Sequence, residues 1–463
     1  MSRELDLAGQ VVELVRQAGG PEAQAEAYVS RLDLALTRFA NSAIHQNVAE
    51  STTRVRLRVH VDGRTTVAST TLTTPDGLRD LVDRTLSVAR SAPRDPAWPG
   101  LAPPAAVPAH DKTWDDATAD ASPEELAAQV KAFVTAAEGF ATAGYCRTAA
   151  RYAALANTAG QSASGRSTDA AIDGVARGDG AAGAARLAAV RLAGLDGARL
   201  GARAAAKARA SAAPVELPPQ EYEVILEPAA VADLLQNLAW FGFNGKAYQE
   251  QRSFVELGAE QFDPAITLVD DPVADPALPF DIEGTPRRVL PLVERGVTRA
   301  VAHDRRTAAQ TGTDSTGHAA EGRMLAGPIP VNLRLLPAEP EGGEAADAPA
   351  LGGITDADTA ALVASVRRGL LVTDLWYTRV LDPKTLVVTG LTRNGVWLVE
   401  NGEITKAVRD LRFTQSYPRA LAPGAVLGIG HRLVRQPDSW DAAWWSAPSV
   451  RLAGWNFTGG ASG

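Results

Sequence analysis

Residues 370–403 read LLVTDLWYTRVLDPKTLVVTGLTRNGVWLVENGE, and this stretch carries more structural information than any other part of the chain. Apolar and polar side chains alternate in its runs of Val, Leu and Thr, which is the pattern of β-strands. Asp382-Pro-Lys has the composition of a turn, and Asn401-Gly402 between alternating residues is a strong signal for a β-hairpin. The stretch therefore predicts consecutive strands joined by short turns.

A first α+β module is predicted for residues 1–110. Apolar residues at helical spacing predict helices over 5–18 and 75–92. Asp62-Gly63 is typical of a hairpin turn. A loop rich in Pro and Ala, 92–108, marks the end of the module. Alternating side chains predict its strands at 25–39, 43–48, 54–61 and 64–70.

A second α+β module is predicted for residues 111–218. Ser122-Pro-Glu-Glu has the features of a helix start, namely a capping side chain, a proline and acidic residues in the first turn. Pro214, Pro218 and Pro219 interrupt helical spacing and mark the boundary. The predicted elements are helices at 123–137 and 196–212 and strands at 141–149, 152–157, 167–176 and 186–192.

The remaining residues, 219–463, are predicted to form a β-rich domain. A short strand at 222–226 leads into a helix at 228–241, and most residues beyond this helix are predicted to be strand and turn. Because the strands are joined by short turns, the sequence favours antiparallel sheets over parallel βαβ winding. The predicted fold class is α+β, with N-terminal antiparallel sheet modules and helices followed by a strand-rich C-terminal domain.

Composition narrows the range of functions. The formal net charge is −8, and only 6 of the 46 basic residues are Lys, so no basic surface for nucleic acid is expected. The single cysteine, Cys146, excludes a disulfide framework and fits a reducing compartment. No stretch approaches 18 uncharged apolar residues, and the N-terminus lacks the apolar run of a signal peptide. We therefore predict a cytoplasmic protein that contacts neither nucleic acid nor membrane.

The C-terminal stretch resembles the signature of the TldD/PmbA (TldE) family, in which a Gly-Leu-Leu-Val-Thr strand is followed by a Thr-Gly-x-x-Ser-like turn and an aromatic-Ile-Glu-Asn-Gly-Glu hairpin. Two further segments resemble the same family. RFANSAIHQ at 38–46 matches its Arg-x-Ala-Asn-x-x-Ile-His-Gln stretch, and Asp270-Asp271 closes a strand that is similar to its Thr-Val-x-Asp-Asp. The resemblance covers roughly residues 25–455.

The resemblance implies a role in proteolysis. TldD-type members of the family are zinc peptidases that pair with a TldE/PmbA-type subunit lacking zinc. The heterodimer encloses a cavity in which unfolded peptides are cleaved, including during the maturation of ribosomal peptide natural products. In the catalytic members a helix carries His-Glu-x-x-x-His, whose imidazoles help to bind zinc and whose Glu is the general base.

The corresponding helix of this chain lacks these side chains. A gapless alignment places Pro228 and Asp233 on the histidine positions and Ala229 on the glutamate position, and a shift by one residue would place Glu227 and Ala232 there instead. No two of the six histidines have the spacing of metal ligands, and the additional Cys ligand that the family carries near its C-terminus has no counterpart after Glu403. The resemblance therefore implies a non-catalytic subunit that holds no zinc, with zinc expected in a TldD-type partner.

Two alternatives stay open. The chain could be a metal-free homodimer that binds peptides or acts as a scaffold, or an active metallopeptidase whose zinc ligands do not align. Tyr377-Thr378 stands where the family often has a Gly, and Leu391-Thr392 stands where Ser-Arg-Gly is typical. Tyr377, Arg393 and Asn394 are the candidate cavity-lining residues.

Three other motifs have simpler interpretations. His318-Ala-Ala-Glu321 could supply two metal ligands, but its Gly/Thr/Ser-rich surroundings predict a surface loop. GTDSTG at 312–317 lacks the strand and helix that a nucleophilic serine elbow requires, so it is predicted to be a turn. Cys146 lies in a predicted strand and is expected to pack as a small apolar group.

Adjacent tryptophans predict an interface. Trp444 and Trp445 cannot share one face of a strand, so at least one is expected to contact a partner chain. We therefore predict a dimer that buries roughly 1,600 Å² or more in total, with a TldD-type partner preferred and a second copy of this chain otherwise.

Overall fold

The computed structural model describes residues 2–108, 111–320, 327–337, 347–437 and 443–460. Glu321, His110 and Trp440 lie outside these ranges. The helices are α1 (Arg3–Gly19), α2 (Pro75–Ser91), α3 (Asp116–Ala119), α4 (Pro123–Ala136), α5 (Gly197–Ala210), α6 (Pro228–Asn237), α7 (Gly245–Gln249), α8 (Arg305–Thr311), α9 (Ala357–Ala364) and α10 (Tyr417–Ala420).

The strands fall into an N-terminal and a C-terminal group. The first six are β1 (Gln24–Ala40), β2 (Ala43–Val61), β3 (Arg64–Thr70), β4 (Ala141–Asn157), β5 (Ser162–Gly178) and β6 (Ala181–Ala189). The others are β7 (Glu221–Leu226), β8 (Thr267–Asp270), β9 (Leu290–Glu294), β10 (Val297–Thr298), β11 (Asn332–Leu336), β12 (Pro349–Ala350), β13 (Thr355–Asp356), β14 (Arg368–Asp382), β15 (Val387–Glu400), β16 (Glu403–Ala407), β17 (Leu411–Ser416), β18 (Val426–Ile429), β19 (Val434–Gln436), β20 (Trp444–Ala447) and β21 (Val450–Gly460).

The N-terminal strands form one antiparallel sheet in the order β3-β2-β1-β4-β5-β6. The two modules predicted from the sequence therefore share a sheet, because β1 pairs with β4 from Glu26↔Asn157 to Phe39↔Gly144. The predicted interruptions near residues 50 and 150 are absent from β2 and β4, which run unbroken along this long ladder. Asp62 and Gly63 both have positive φ, as the predicted hairpin turn requires.

Two helix pairs pack on one face of this sheet, where alternate side chains of β1 contact them. Ala25, Ala27 and Val29 belong to the core formed with α1 and α2. Phe39, near the far end of the same strand, belongs to the core formed with α4 and α5. Cys146 is buried in this second core, and burial raises the pKa of its thiol to about 12, so it packs as an apolar group.

The opposite face of the N-terminal sheet contacts the C-terminal region. Tyr28 of β1 packs edge-on against Phe280, with the ring centroids 6.4 Å apart. Ala171 and Ala188, from β5 and β6, pack against Trp444 of β20. The N-terminal sheet is thus covered by helices on one side and by the C-terminal region on the other.

Two sheets make up most of the C-terminal region. One follows the order β14-β7-β21-β17-β15-β16, and additional pairing between β14 and β15 closes its first five strands into a ring. The other has the order β10-β9-β8-β11-β20-β19. Pairing is mostly antiparallel, with parallel pairs at β7–β14 and β11–β20. The predicted α+β fold class is confirmed.

The apolar face of α6 packs into the largest core of the molecule. Val231, Leu234 and Leu235 are buried there together with side chains from both C-terminal sheets. The helix starts at Pro228, which has no N–H to leave unpaired at the first helical position. Among the helices of the described residues, none is long and apolar enough to cross a membrane.

Candidate functional site

The other face of α6 lines a cleft of about 590 Å³, which we call the α6 cleft. Ala229, Ala232, Asp233 and Gln236 line it because residues three or four apart share one face of a helix. The facing wall is formed by residues 374–380 of β14. Further lining comes from Arg186, Gln436, Pro437 and Trp445.

A π-helical turn extends α6 along this site. The backbone hydrogen bonding changes from α to π over Leu238–Gly242, and Trp240 and Phe241 on this turn line the cleft. The sequence predicts one regular helix over 228–241, so the π-turn was not foreseen. Such single π-turns are frequent at functional sites.

The residues at the predicted zinc-motif positions do not fit a zinc ion. Pro228 and Ala229 offer no donor atom. Asp233 is the one carboxylate of the three positions, and both of its oxygens already accept hydrogen bonds, from Thr378 Oγ1 at 2.7 Å and from Tyr417 OH at 2.7 Å. Zinc sites in proteins use about three protein ligands, and Asp233 supplies at most one.

The residues that the alternative alignment places at the motif positions do not fit a zinc ion either. Glu227 forms a buried ion pair with Lys207, whose Nζ lies 2.5 Å from Glu227 Oε2, and Ala232 has no donor. Within the described ranges, no group of three His, Cys, Asp or Glu side chains is arranged to hold a metal ion. His318, the first residue of the weak metal motif, is buried 3.1 Å from Asp270, while Glu321 lies outside the described residues.

Burial changes the acidity of Asp233. Removal from water raises the pKa of this carboxyl group to about 6, although the hydrogen bonds from Thr378 and Tyr417 lower it. The nearby charge of Asp374 raises it further. Asp233 therefore serves as a buried anchor that ties α6 to β14 and to Tyr417.

A second buried acid connects the cleft to the N-terminal sheet. Asp374 of β14 accepts a hydrogen bond at 2.8 Å from Arg186 Nη2, and Arg186 Nε also lies 3.4 Å from Asp173. Burial opposes the charge of Arg186, but the two aspartates outweigh it and raise the pKa of the guanidinium. Asn394 Nδ2 donates to the same oxygen of Asp374 at 3.3 Å. This network fixes the cleft wall of β14 against β6.

Two aromatic side chains project from that wall. Trp376 is 48% exposed and Tyr377 is 64% exposed. A register shift between Trp376 and Arg379 marks a bulge in the β14–β15 ladder, and Tyr377 has φ of 53°. A bulky residue rarely adopts this left-handed conformation, which is associated with strain at functional sites.

Arginine side chains stack on both rings. The Arg393 guanidinium lies 4.4 Å from the Trp376 ring centroid, and the Arg379 guanidinium lies 4.1 Å from that of Tyr377. A stacked arginine contacts the ring with its flat face and can still donate hydrogen bonds from its edge, and Arg379 Nη1 already donates one to the Thr378 carbonyl at 2.8 Å. The rim of the cleft thus presents apolar surface together with positive charge.

The structure separates the three predicted cavity-lining residues. Tyr377 lines the α6 cleft. Arg393 is not among the described lining residues and contacts the rim through Trp376. Asn394 lines a different cavity of about 690 Å³. Asn394 and Gly395 both have positive φ and oppose Thr373 in a bulge within β15.

The environment of the adjacent tryptophans differs from the predicted one. Trp444 and Trp445 do lie on opposite faces of β20, but they are only 6% and 2% exposed. Trp445 belongs to the C-terminal core and lines the α6 cleft. Trp444 packs on the N-terminal sheet, where the Arg147 guanidinium lies 5.9 Å from its ring. The second face of the strand is covered by the same chain, so no partner chain is needed to bury it.

Several cleft residues were missed by sequence reasoning. Trp240, Asp374, Trp376 and Arg186 come from distant parts of the chain. Trp376-Tyr377 is an adjacent aromatic pair like Trp444-Trp445, but adjacency in the sequence does not show which of the two pairs is exposed. No local pattern indicates Arg186 or Asp374, whose pairing depends on the contact between β6 and β14.

Comparisons with known proteins agree with the fold. The chain matches the profile of the PmbA/TldA metallopeptidase C-terminal domain over residues 219–459, more than half of its length, and that of PmbA/TldA metallopeptidase domain 1 over residues 25–89. No curated protein gives a significant match.

Solved structures with the same fold come from several organisms. TldE from Thermococcus kodakarensis is 18% identical, with a TM-score of 0.82 over 97% of this chain and 100% of that chain. A proposed modulator of a DNA gyrase from Thermotoga maritima is 19% identical, with a TM-score of 0.80 over 98% and 99%. A protein of the same description from Bacteroides thetaiotaomicron is 19% identical, with a TM-score of 0.79 over 99% of both chains. At these identities the likeness concerns the fold.

Proposed function

The chain belongs to the PmbA/TldD family of metallopeptidase-related proteins, and on that premise we propose that it is the zinc-free, TldE/PmbA-like subunit of a two-subunit peptidase. In this proposal a TldD-type partner supplies the zinc, the general base and the cleavage step. This chain completes the cavity and helps to hold an unfolded peptide for degradation or maturation. We propose a cytoplasmic location for the complex.

The donor set on α6 is the observation that carries this proposal. A zinc peptidase needs imidazole or carboxylate ligands and a base beside the metal. At Pro228, Ala229 and Asp233 the chain offers one carboxylate, whose oxygens accept hydrogen bonds from Thr378 and Tyr417. The helix therefore supplies at most one zinc ligand at these positions, and structural hydrogen bonds already engage that carboxylate.

The rim of the α6 cleft supports a role in peptide binding. Trp376 and Tyr377 are exposed beside the cleft and could bury apolar side chains of an extended peptide, since aromatic residues provide much of the binding energy at protein interfaces. Arg379 and Arg393, stacked on the same rings, could pair with carboxylates or backbone carbonyls of that peptide.

Reconstitution tests the proposed division of labour. The full chain would be purified alone and mixed with the product of a neighbouring gene that encodes His-Glu-x-x-x-His, and cleavage of an unfolded peptide would be followed. We expect no cleavage by the chain alone, cleavage by the mixture, and a stable complex by mass photometry. A homodimer that binds peptide and forms no complex with the partner would favour the scaffold alternative. Cleavage by the chain alone would favour the active peptidase.

The contribution of the rim is tested by Trp376→Ala in the reconstituted mixture. We expect the affinity for an unfolded peptide to fall about tenfold or more, because truncation of a central aromatic contact usually costs about 1–2 kcal/mol or more. Leu72→Ala is the matched control, since Leu72 is 63% exposed on the N-terminal module, far along the chain from the cleft. Equal losses in the two variants would argue against a specific role for the rim.

A further inference from the structure

The cavity of about 690 Å³ to which Asn394 contributes lies where the N-terminal sheet meets the C-terminal region. Residues between 177 and 182, where β5 turns into β6, line it from the N-terminal sheet. Residues between 211 and 219, which connect α5 to β7, also line it, together with 394–396 of β15 and 408–411 between β16 and β17. We call it the linker cavity. Its volume falls within the range of roughly 300–1,000 Å³ that is usual for small-molecule sites.

The linker cavity contains a carboxylate that has no cationic partner. Asp410 lines the cavity and is only partly exposed. Thr392 Oγ1 donates a hydrogen bond to its Oδ1 at 3.2 Å, whereas its Oδ2 accepts none from the described residues and remains accessible. Among those residues Asp410 also forms no ion pair. Because charges at partly buried positions are usually paired, Asp410 points to a positively charged group on a ligand.

The charges around Asp410 do not neutralise it. Burial raises the pKa of this carboxyl group to about 6, the hydrogen bond from Thr392 and the charge of Arg393 lower it, and the charge of Asp374 raises it. Arg393 is stacked on Trp376 and forms no ion pair with Asp410. At pH 7 the carboxyl group is therefore mostly ionised, and no side chain of the described residues pairs with it.

The linker cavity also offers one unpaired cation. Arg177 lines it at the end of β5, is exposed, and forms no ion pair with a described residue. The other two charged lining residues pair with each other, since Arg409 Nε lies 3.6 Å from Glu216 Oε1. One carboxylate and one guanidinium are thus left for a ligand. A ligand that matches both carries an ammonium group and a carboxylate.

Apolar side chains form much of the remaining lining. Leu217, Val396, Val408 and Leu411 line the cavity, and the last three belong to the main core. This surface favours a ligand that has an apolar side chain between its charged ends. A metal ion fits less well than an organic cation, because the described residues include no group of three His, Cys, Asp or Glu side chains that could hold one.

We propose that the linker cavity binds a short peptide with free termini and an apolar side chain. Its ammonium group lies against Asp410, and its carboxylate lies against Arg177. Such peptides are what a peptidase releases, but the proposal does not depend on the proposed function, because the site lies entirely on this chain. Binding can therefore be measured without the partner subunit, and its failure would leave the proposed function standing.

Isothermal titration calorimetry on the full chain tests the proposal with peptides of increasing length, namely Ala-Leu, Ala-Ala-Leu and Ala-Ala-Ala-Leu. The measurement is made at pH 7, where the carboxyl group of Asp410 and a peptide amine are both mostly charged. We expect one saturable site for at least one length. Acetylation of the amine should weaken binding about tenfold or more, and conversion of the carboxylate to its amide about three- to fivefold, because ion pairs at exposed groups such as Arg177 are weaker.

Substitutions locate the site. Asp410→Asn keeps an oxygen that can accept from Thr392, and it should weaken binding of the free peptide about tenfold or more and remove the preference for the free amine over the acetylated form. Arg177→Gln should remove the preference for the acid over the amide.

Glu216→Gln is the matched control, since Glu216 lines the same cavity but pairs with Arg409 and has an 84% exposed side chain. This variant should bind the peptide at least as tightly as wild type. No saturable binding, equal affinity for the free and acetylated peptides, equal affinity for acid and amide, or an Asp410→Asn variant that still prefers the free amine would each overturn the proposal.

Discussion

Two pairs of adjacent aromatic residues, Trp376-Tyr377 and Trp444-Trp445, look alike in the sequence and have opposite environments. The first pair is 48% and 64% exposed, and the second is 6% and 2% exposed. In each case neighbouring side chains on a strand cannot share a face. Adjacency alone therefore does not indicate an interface, because exposure depends on whether the fold covers both faces of the strand.

The two strands meet this condition differently. β20 lies between the C-terminal core and the N-terminal sheet, so one tryptophan enters each. β14 carries a bulge at Trp376-Tyr377 where it passes the α6 cleft, and Thr378 is held there by Asp233. The exposed pair, and not the buried one, is therefore the candidate contact for a peptide or a partner subunit.

The largest difference that we expect between the two pairs is in how much a substitution lowers the free energy of unfolding. Trp445→Ala should lower the free energy of unfolding by about 3–5 kcal/mol, because it leaves a large cavity in the main core. Trp376→Ala should lower it by about 1 kcal/mol or less, since an exposed ring loses little more than its stacking with Arg393. Urea unfolding followed by circular dichroism measures both. Equal losses would mean that the two environments are not distinct.

Asp233, which holds Thr378 next to the exposed pair, should make the stability of the protein depend on pH. Because the folded pKa of Asp233 is raised to about 6, the folded state binds its proton more tightly than the unfolded state does. This group's contribution to stability should therefore be greatest below about pH 4 and decline as the pH rises towards 6, by an amount on the order of 3 kcal/mol, then stay level.

Asp233→Asn tests this assignment, because an amide has no proton to lose in this range. The difference in unfolding free energy between variant and wild type should change between about pH 4 and about pH 6 and become constant above it. Asp410→Asn is the comparison variant, since burial also raises the pKa of Asp410 to about 6. A difference for Asp233→Asn that does not vary with pH would show that Asp233 is not the titrating group.

Substitutions at the backbone bulge of the exposed pair should have a smaller effect. Tyr377→Gly should change stability by no more than about 1 kcal/mol in either direction, because glycine accepts the left-handed conformation but has a more flexible unfolded state. Tyr377→Val should cost about 1–3 kcal/mol, since a β-branched residue is disfavoured at positive φ. If Val is tolerated as well as Gly, the bulge is not conformationally constrained.

The sequence was a good guide to elements and a poor guide to their contacts. Helices α1, α2, α4 and α5 lie within a few residues of their predicted bounds, because capping residues, prolines and apolar spacing are local signals. The hairpin turn at Asn401-Gly402 was also predicted from a local signal, the Asn-Gly pair itself. The shared N-terminal sheet was missed because pairing between β1 and β4 joins residues that are far apart in the sequence.

At the candidate site, too, single residues could be predicted from the sequence but their contacts could not. Pro228, Ala229 and Asp233 could be named from one helix, and Tyr377 from one strand. The hydrogen bonds of Asp233 to Thr378 and Tyr417, and the pairing of Arg186 with Asp374, required the folded chain. Burial of Trp444 was unpredictable for the same reason, since its covering surface is a sheet formed by the first half of the chain.

Zinc content distinguishes a non-catalytic subunit from an active peptidase without reference to any substrate. The full chain would be purified without chelator, in the presence of zinc, and analysed by inductively coupled plasma mass spectrometry both alone and in complex with its TldD-type partner. The proposed function predicts no tightly held zinc in the chain alone and about one zinc per heterodimer, removed when the partner's His-Glu-x-x-x-His is mutated. About one zinc per chain in the isolated protein would contradict it.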